Sequence, residues 1–190
     1  MVHFGEKFLK NEKSLCVYCG SSPGAFEEYA AAARELGRVL AKRSITLVYG
    51  GAGIGIMGIL ADEVLANGGE VIGVMPTIIG EREVTHTGLT QLIEVADMHQ
   101  RKAKMMALAD AFAALPGGIG TFEELFEALT WLQLGIHKKR CGLINTLDYY
   151  QGLQAFLSHG VDQGFVRQSV VDELLVADTA ENLIARMFPE

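Results

Sequence analysis

Ala111-Phe112-Ala113-Ala114-Leu115-Pro116-Gly117-Gly118-Ile119-Gly120-Thr121-Phe122-Glu123-Glu124 orients the whole chain. Five apolar residues bounded by a proline have the length and composition of a strand buried on both faces. Pro116 and three glycines end it, and the apolar spacing over 121–134 is helical. Strand, glycine turn and helix in that order are half of a βα unit. The same turn can do chemistry. Glycines let backbone N–H groups approach an anion, and the new helix points its unpaired N–H groups and positive dipole end at the same place. The segment reads as a phosphate cradle, with Gly118, Gly120 and Thr121 as contacts and a carboxylate beside it. Thr121 and Glu124 have the T-x-x-E spacing of a capping box, which predicts Thr121 as the helix cap and fixes Glu124 at the cradle's mouth. Glu123 is the competing acid.

Outward from this segment the alternation continues. Candidate strands cover 14–19, 45–49, 70–75, 91–95, 111–115, 141–145 and 174–176. Candidate helices cover 25–42, 56–67, 98–108, 121–134, 147–159 and 180–188. Short runs rich in Val, Ile and Leu, alternating with helices, predict an α/β Rossmann-like fold: a mostly parallel sheet of about seven strands with helices on both faces. With 190 residues, 49% of them hydrophobic, the chain suits one nucleotide-binding domain over 1–190. In such sheets ligands bind at the carboxyl ends of the strands. Four segments fall there: 20–24, 50–58, the start of the helix at Met98, and 116–124.

The segment Gly50-Gly51-Ala52-Gly53-Ile54-Gly55-Ile56-Met57-Gly58 contains G-x-G-x-x-G at Gly53, Gly55 and Gly58. A dinucleotide site would need an acidic residue about twenty positions on, and Val74-Met75-Pro76 stand there instead. No G-K-[ST] follows, so it is not a P-loop. The glycine density points to a ligand close to the backbone, with tight helix–strand packing as the alternative. After Asp97, a candidate N-cap, Met98, Arg101, Lys102 and Met105 share one helix face. Arg101 either snorkels over apolar surface or binds ligand oxygens through its fork of donors.

Other classes drop out. The net charge of -7 gives no electrostatic footprint for nucleic acid. The amino-terminal residues are polar and mixed in charge, unlike a secretory signal, and no apolar run reaches membrane-spanning length. A cytoplasmic protein is expected. Cys16 and Cys19 form C-x-x-C but lie on a strand facing opposite sides, which predicts inert buried thiols. The five histidines have no metal-ligand spacing, so neither a metal nor a cofactor is expected. No G-x-S-x-G elbow is present. Trp131, Leu132 and Leu134 read as core by default, with a subunit interface as the alternative.

Taken together, P-G-G-x-G-T-x-x-E at Pro116 to Glu124, G-G-x-G-x-G-x-M-G at Gly50 to Gly58 and Asp97-Met98-His99-Gln100-Arg101-Lys102 resemble the Lonely Guy family of cytokinin riboside 5'-monophosphate phosphoribohydrolases. The likeness runs over nearly the whole chain. It includes Val17-Tyr18-Cys19-Gly20-Ser21-Ser22, Glu83 with His86-Thr87-Gly88-Leu89-Thr90, and Thr130-Trp131-Leu132-Gln133-Leu134-Gly135-Ile136-His137. Departures are Ala52 for a third glycine, Ile56 for leucine and Gln100 for glutamate. The resemblance implies hydrolysis of the N-glycosidic bond of a cytokinin riboside monophosphate or AMP, giving free base and ribose 5-phosphate. It implies a small-molecule nucleoside monophosphate as partner, and a homodimer or larger assembly with the site near the subunit interface. The family's catalytic pair falls on Arg101 and Glu124. Gly118, Gly120 and Thr121 would take the phosphate. Ser21, Ser22, Met98, Lys102 and the glycines Gly51, Gly53 and Gly55 would contact ribose and base. A non-catalytic nucleotide or cofactor carrier on the same fold is the rival reading.

Overall fold

β1 (Lys13–Tyr18) is buried at every position after its first and forms the middle of the sheet. The computed structural model describes residues 13–77 and 84–189; the Glu83 of the sequence comparison lies outside them. β2 (Ile45–Tyr49) pairs with one edge of β1 and β5 (Ala111–Ala114) with the other. β3 (Val71–Pro76) and β4 (Gln91–Val95) extend the first side, and β6 (Cys141–Ile144) and β7 (Leu174–Ala177) the second. The order is β4-β3-β2-β1-β5-β6-β7, and every pairing is parallel. The expected mostly parallel, seven-stranded Rossmann-like sheet is present.

Helices cover both faces, as full burial of the central strands requires. On one face lie α1 (Glu27–Lys42), α2 (Gly55–Ala66) and α7 (Ala180–Met187), whose apolar residues pack with Leu15, Val17 and Cys19. On the other lie α3 (Met98–Leu108), α4 (Ile119–Gln133), α5 (Gln151–Asp162) and α6 (Gln168–Glu173), packed against Cys16, Tyr18 and Phe112. Local chemistry agrees with these placements. α1 carries Glu27 and Glu28 in its first turn and Lys42 in its last, complementing its dipole. Asp97 caps α3 as expected, its Oδ1 accepting from the Gln100 N–H at 2.8 Å.

The structure corrects two boundaries and adds one helix. α4 begins at Ile119 with Gly118 as its cap residue, and the Phe122 N–H already donates to the Gly118 carbonyl. Thr121 is therefore inside the helix and buried, so the predicted capping box does not form. Gly118 suits the cap position, and Gly120 lies in the first turn despite its poor helix propensity. The helix expected over 147–159 starts later, because Leu147 adopts left-handed backbone (φ 52°) in a tight turn over Thr146–Asp148. α6 was not foreseen; it buries only Val170 and is too short to show a period.

Cys16 and Cys19 are buried in opposite cores. Burial pushes both thiols up, and the nearby Glu124 carboxylate adds to it. Burial pushes Cys141 up to about 12. All three cysteines should therefore resist a thiol reagent at pH 8 in the native protein and react promptly once denatured. Stoichiometric labelling without denaturant would contradict this packing.

Candidate active site

The sheet changes its direction of growth at β1. From β1 the chain crosses to α1 on one face; from the neighbouring β5 it crosses to α4 on the other. The loops after these two strands part, which leaves a crevice at their carboxyl ends. Its floor is stitched by the Leu115 N–H donating to the Tyr18 carbonyl at 3.0 Å and the Gly20 N–H to the Pro116 carbonyl at 3.2 Å. Two adjoining pockets open from it, sharing Gly20, Ser21 and Gly118. The polar one, about 270 Å³, includes Gly50, Met98, Arg101, Thr121, Glu123 and Glu124. The other, about 260 Å³, includes Ser22, Tyr29, Gly117 and Tyr149.

Arg101 is 6% exposed and does not snorkel. Its Nη2 donates to the Gly50 carbonyl at 3.1 Å, and Nη1 lies 3.7 Å from the Met98 sulfur. Its buried Nε–H has no partner within the protein. A buried cation costs several kcal/mol unless oxygens surround it, so the guanidinium is short of acceptors and faces a pocket that can admit them. Gly50 makes this placement possible. A Cβ there would run into Nη2 of Arg101 and the Met57 methyl group.

Glu124 reaches the same pocket from α4 and is half-buried. It shares the pocket lining with Arg101 and with Val17, Cys19 and Gly50, at the carboxyl ends of β1 and β2. Glu123 also lines the pocket but is exposed and bonded to the Lys102 amine. Lys102 is 3.1 Å from Glu127 as well, so its amine is turned to this acidic pair and does not line the pocket. Its carboxylate partners hold it protonated, raising its pKa. At the start of α4 the cap residue Gly118 has no side chain to bond the first backbone N–H groups, and Gly118, Ile119 and Gly120 line the pocket.

The remaining sequence candidates divide. Ser21 lines both pockets and Ser22 the second. Gly51, Gly53 and Gly55 line neither. Gly55 has φ +59°, and a Cβ there would strike the Ser21 carbonyl. These glycines let α2 sit against the loop after β1, with the Met57 N–H donating to the Gly20 carbonyl. A strap from the β3–β4 connection holds them: the Gly53 N–H donates to Val84 at 2.7 Å and the His86 N–H to Gly51 at 3.0 Å. The His86 Nδ1 accepts from Gly88, so Nε2 carries the proton and donates to Asp62 at 2.9 Å. Gly50, Tyr29 and Tyr149 are among the pocket residues that escaped sequence reasoning. Gly50 was one glycine among many, while Tyr29 and Tyr149 belong to no spacing pattern.

Among the described residues no helix is long and apolar enough to cross a membrane, and no cluster of candidate metal ligands forms. The chain matches the family model described as "possible lysine decarboxylase" over residues 57–187. It is 45% identical over 184 residues to a cytokinin riboside 5'-monophosphate phosphoribohydrolase of Arabidopsis thaliana, covering 96% of this chain and 86% of that protein. It is 46% identical over 174 residues to the enzyme of that name from Rhodococcoides fascians, covering 91% and 88%. Among solved structures, the molybdenum cofactor binding protein of Rippkaea orientalis superposes with a TM-score of 0.69 at 21% identity, covering 93% of this chain and 96% of that one. At that identity the likeness concerns the fold alone.

The Gly50–Arg101 contact makes a measurable prediction. Gly50→Ala should destabilise the protein by forcing the guanidinium from its acceptor. Adding Arg101→Ala should relieve the clash, so a double-mutant cycle in urea should show coupling of about 1 kcal/mol or more. Additive effects would contradict the contact.

Proposed function

This chain belongs to the Lonely Guy family of phosphoribohydrolases, and from that we propose that it hydrolyses the N-glycosidic bond of cytokinin riboside 5'-monophosphates and of AMP. The products are free base and ribose 5-phosphate. The observation that carries the reading is that Arg101 and Glu124 line one pocket beside the N-terminus of α4, whose cap residue is a glycine. Breaking this bond builds positive charge on the ribose, as in glycoside hydrolysis. Glu124 stabilises that charge and takes a proton from the attacking water. Arg101 offers its unpaired Nε–H to substrate oxygen and assists the departing base. The phosphate rests on the N–H groups of Gly118 and Gly120 with Thr121, and its binding energy positions the reacting carbon. Ser21, Ser22 and Met98 line the space left for ribose and base.

The decarboxylase description of the family model finds no support at the site. Schiff-base chemistry requires a lysine in the pocket, and none lines either pocket among the described residues. Three unpaired thiols suit work in the reducing cytoplasm.

We further propose a homodimer. Ile119, Phe126, Leu134 and Ile136, along α4 and just beyond it, are 81%, 37%, 64% and 60% exposed. Leu134, expected in the core, belongs to this surface, whereas Trp131 and Leu132 pack partly against the core. Apolar patches of this kind mark interaction surfaces. Ile119 also lines the polar pocket, so a second copy here would close its open side.

Incubation with AMP and with an N6-prenylated AMP should release free base and ribose 5-phosphate; failure with every purine monophosphate would overturn the reading. Gln keeps the size and shape of Glu, so Glu124→Gln should leave the melting temperature nearly unchanged while lowering turnover by about 10²-fold or more. Glu123→Gln should cost far less; the opposite ranking would transfer the role to Glu123. Light scattering after size exclusion should give twice the chain mass, and Phe126→Glu should halve it.

A further inference from the structure

We propose that Tyr149 is a positioning residue for the phosphate turn: its hydroxyl holds the Gly117–Gly118 peptide in the one orientation that suits an anion. This rests on the phosphate contacts proposed above. Three successive carbonyls of the turn are tied down from outside. The Tyr150 hydroxyl donates to Leu115 at 2.6 Å, the Gly20 N–H to Pro116 at 3.2 Å, and the Tyr149 hydroxyl to Gly117. The first two bonds lie at the floor of the crevice. The third alone grips the peptide joining Gly117 and Gly118, which has a glycine on each side.

A peptide between two glycines flips easily, because neither residue restricts its backbone. A trans peptide points its N–H opposite to its carbonyl, and the described residues contain no cis bond. Anchoring the Gly117 carbonyl on Tyr149 therefore aims the Gly118 N–H away from the tyrosine, as the first donor of the uncapped series that opens α4. A flipped peptide would present a carbonyl dipole to the phosphate instead.

The chain spends strain to put Tyr149 there. Leu147 and Asp148, just before it, both have positive φ. Non-glycine residues pay for that conformation and keep it only where the surroundings enforce it. Asn145 does the enforcing: its side chain accepts from the Tyr150 N–H at 2.8 Å and donates to Asp148 at 3.2 Å. The Tyr149 ring is wedged edge-on against Tyr29 and Tyr150, with centroids 5.9 and 5.0 Å away. Removing the hydroxyl leaves these ring contacts in place, so Tyr149→Phe tests the hydrogen bond alone.

The experiment compares wild type and Tyr149→Phe in three measurements: AMP hydrolysis, inhibition by inorganic phosphate, and inhibition by adenine. The variant should raise KM for AMP and the inhibition constant of phosphate by about three- to tenfold, the range of one hydrogen bond. kcat should change less than KM, and the adenine constant should not move. Direct calorimetric binding of phosphate reads the same effect without turnover, so it remains decisive if the hydrolysis reading fails. Unchanged phosphate affinity, or equal weakening for phosphate and adenine with a large fall in melting temperature, would overturn the assignment.

Discussion

In a parallel sheet all strands finish at one edge, and the helices that follow ordinarily close over it. A gap remains only where neighbouring strands send the chain to opposite faces. Here that place is between β1 and β5. Each further property of the site follows from it. The first turn of α4 faces open space with no capping side chain, which suits an anion. α3, on the same face as α4, carries Arg101 to the end of β2, where the Gly50 carbonyl meets it.

The electrostatics are local. A chain of net charge -7 repels a nucleotide at long range, but salt screens that field beyond about 10 Å. Inside the crevice the balance is set by backbone N–H groups, one buried guanidinium and the Glu124 carboxylate, the charge of Glu123 being paired with Lys102. Low polarity strengthens each of these interactions. It also obliges the guanidinium to find oxygens, since Gly50 supplies one acceptor and the Nε–H none. A substrate oxygen there would complete what the fold leaves unfinished.

The sheet was legible in the sequence because its signal is repeated. Most strands are short apolar runs, β4 with its alternating polar residues being the exception, and six of the seven helices among the described residues are long enough to show a period. The phosphate turn was legible because its chemistry lies in contiguous residues. The details set by tertiary packing were not. Thr121 has the spacing of a cap but lies inside the helix, since α4 starts one turn earlier, through Gly120, whose propensity argues against it. Gly51, Gly53 and Gly55 carry a ligand-binding signature, yet Gly55 abuts the Ser21 backbone. Tyr149 belongs to no motif, because its position depends on a turn with two left-handed residues that no local preference announces.

Gly50 and Arg101 are 51 positions apart and share one small volume. The side chain missing from one is the space occupied by the other. The order of change is fixed: a side chain at Gly50 evicts the guanidinium, whereas loss of the arginine leaves only a hollow and a carbonyl without its donor. In inheritance position 50 can fill only after position 101 has emptied. In a lineage that drifted to another activity on this scaffold, a filled position 50 would be the readable trace that the arginine had already been surrendered.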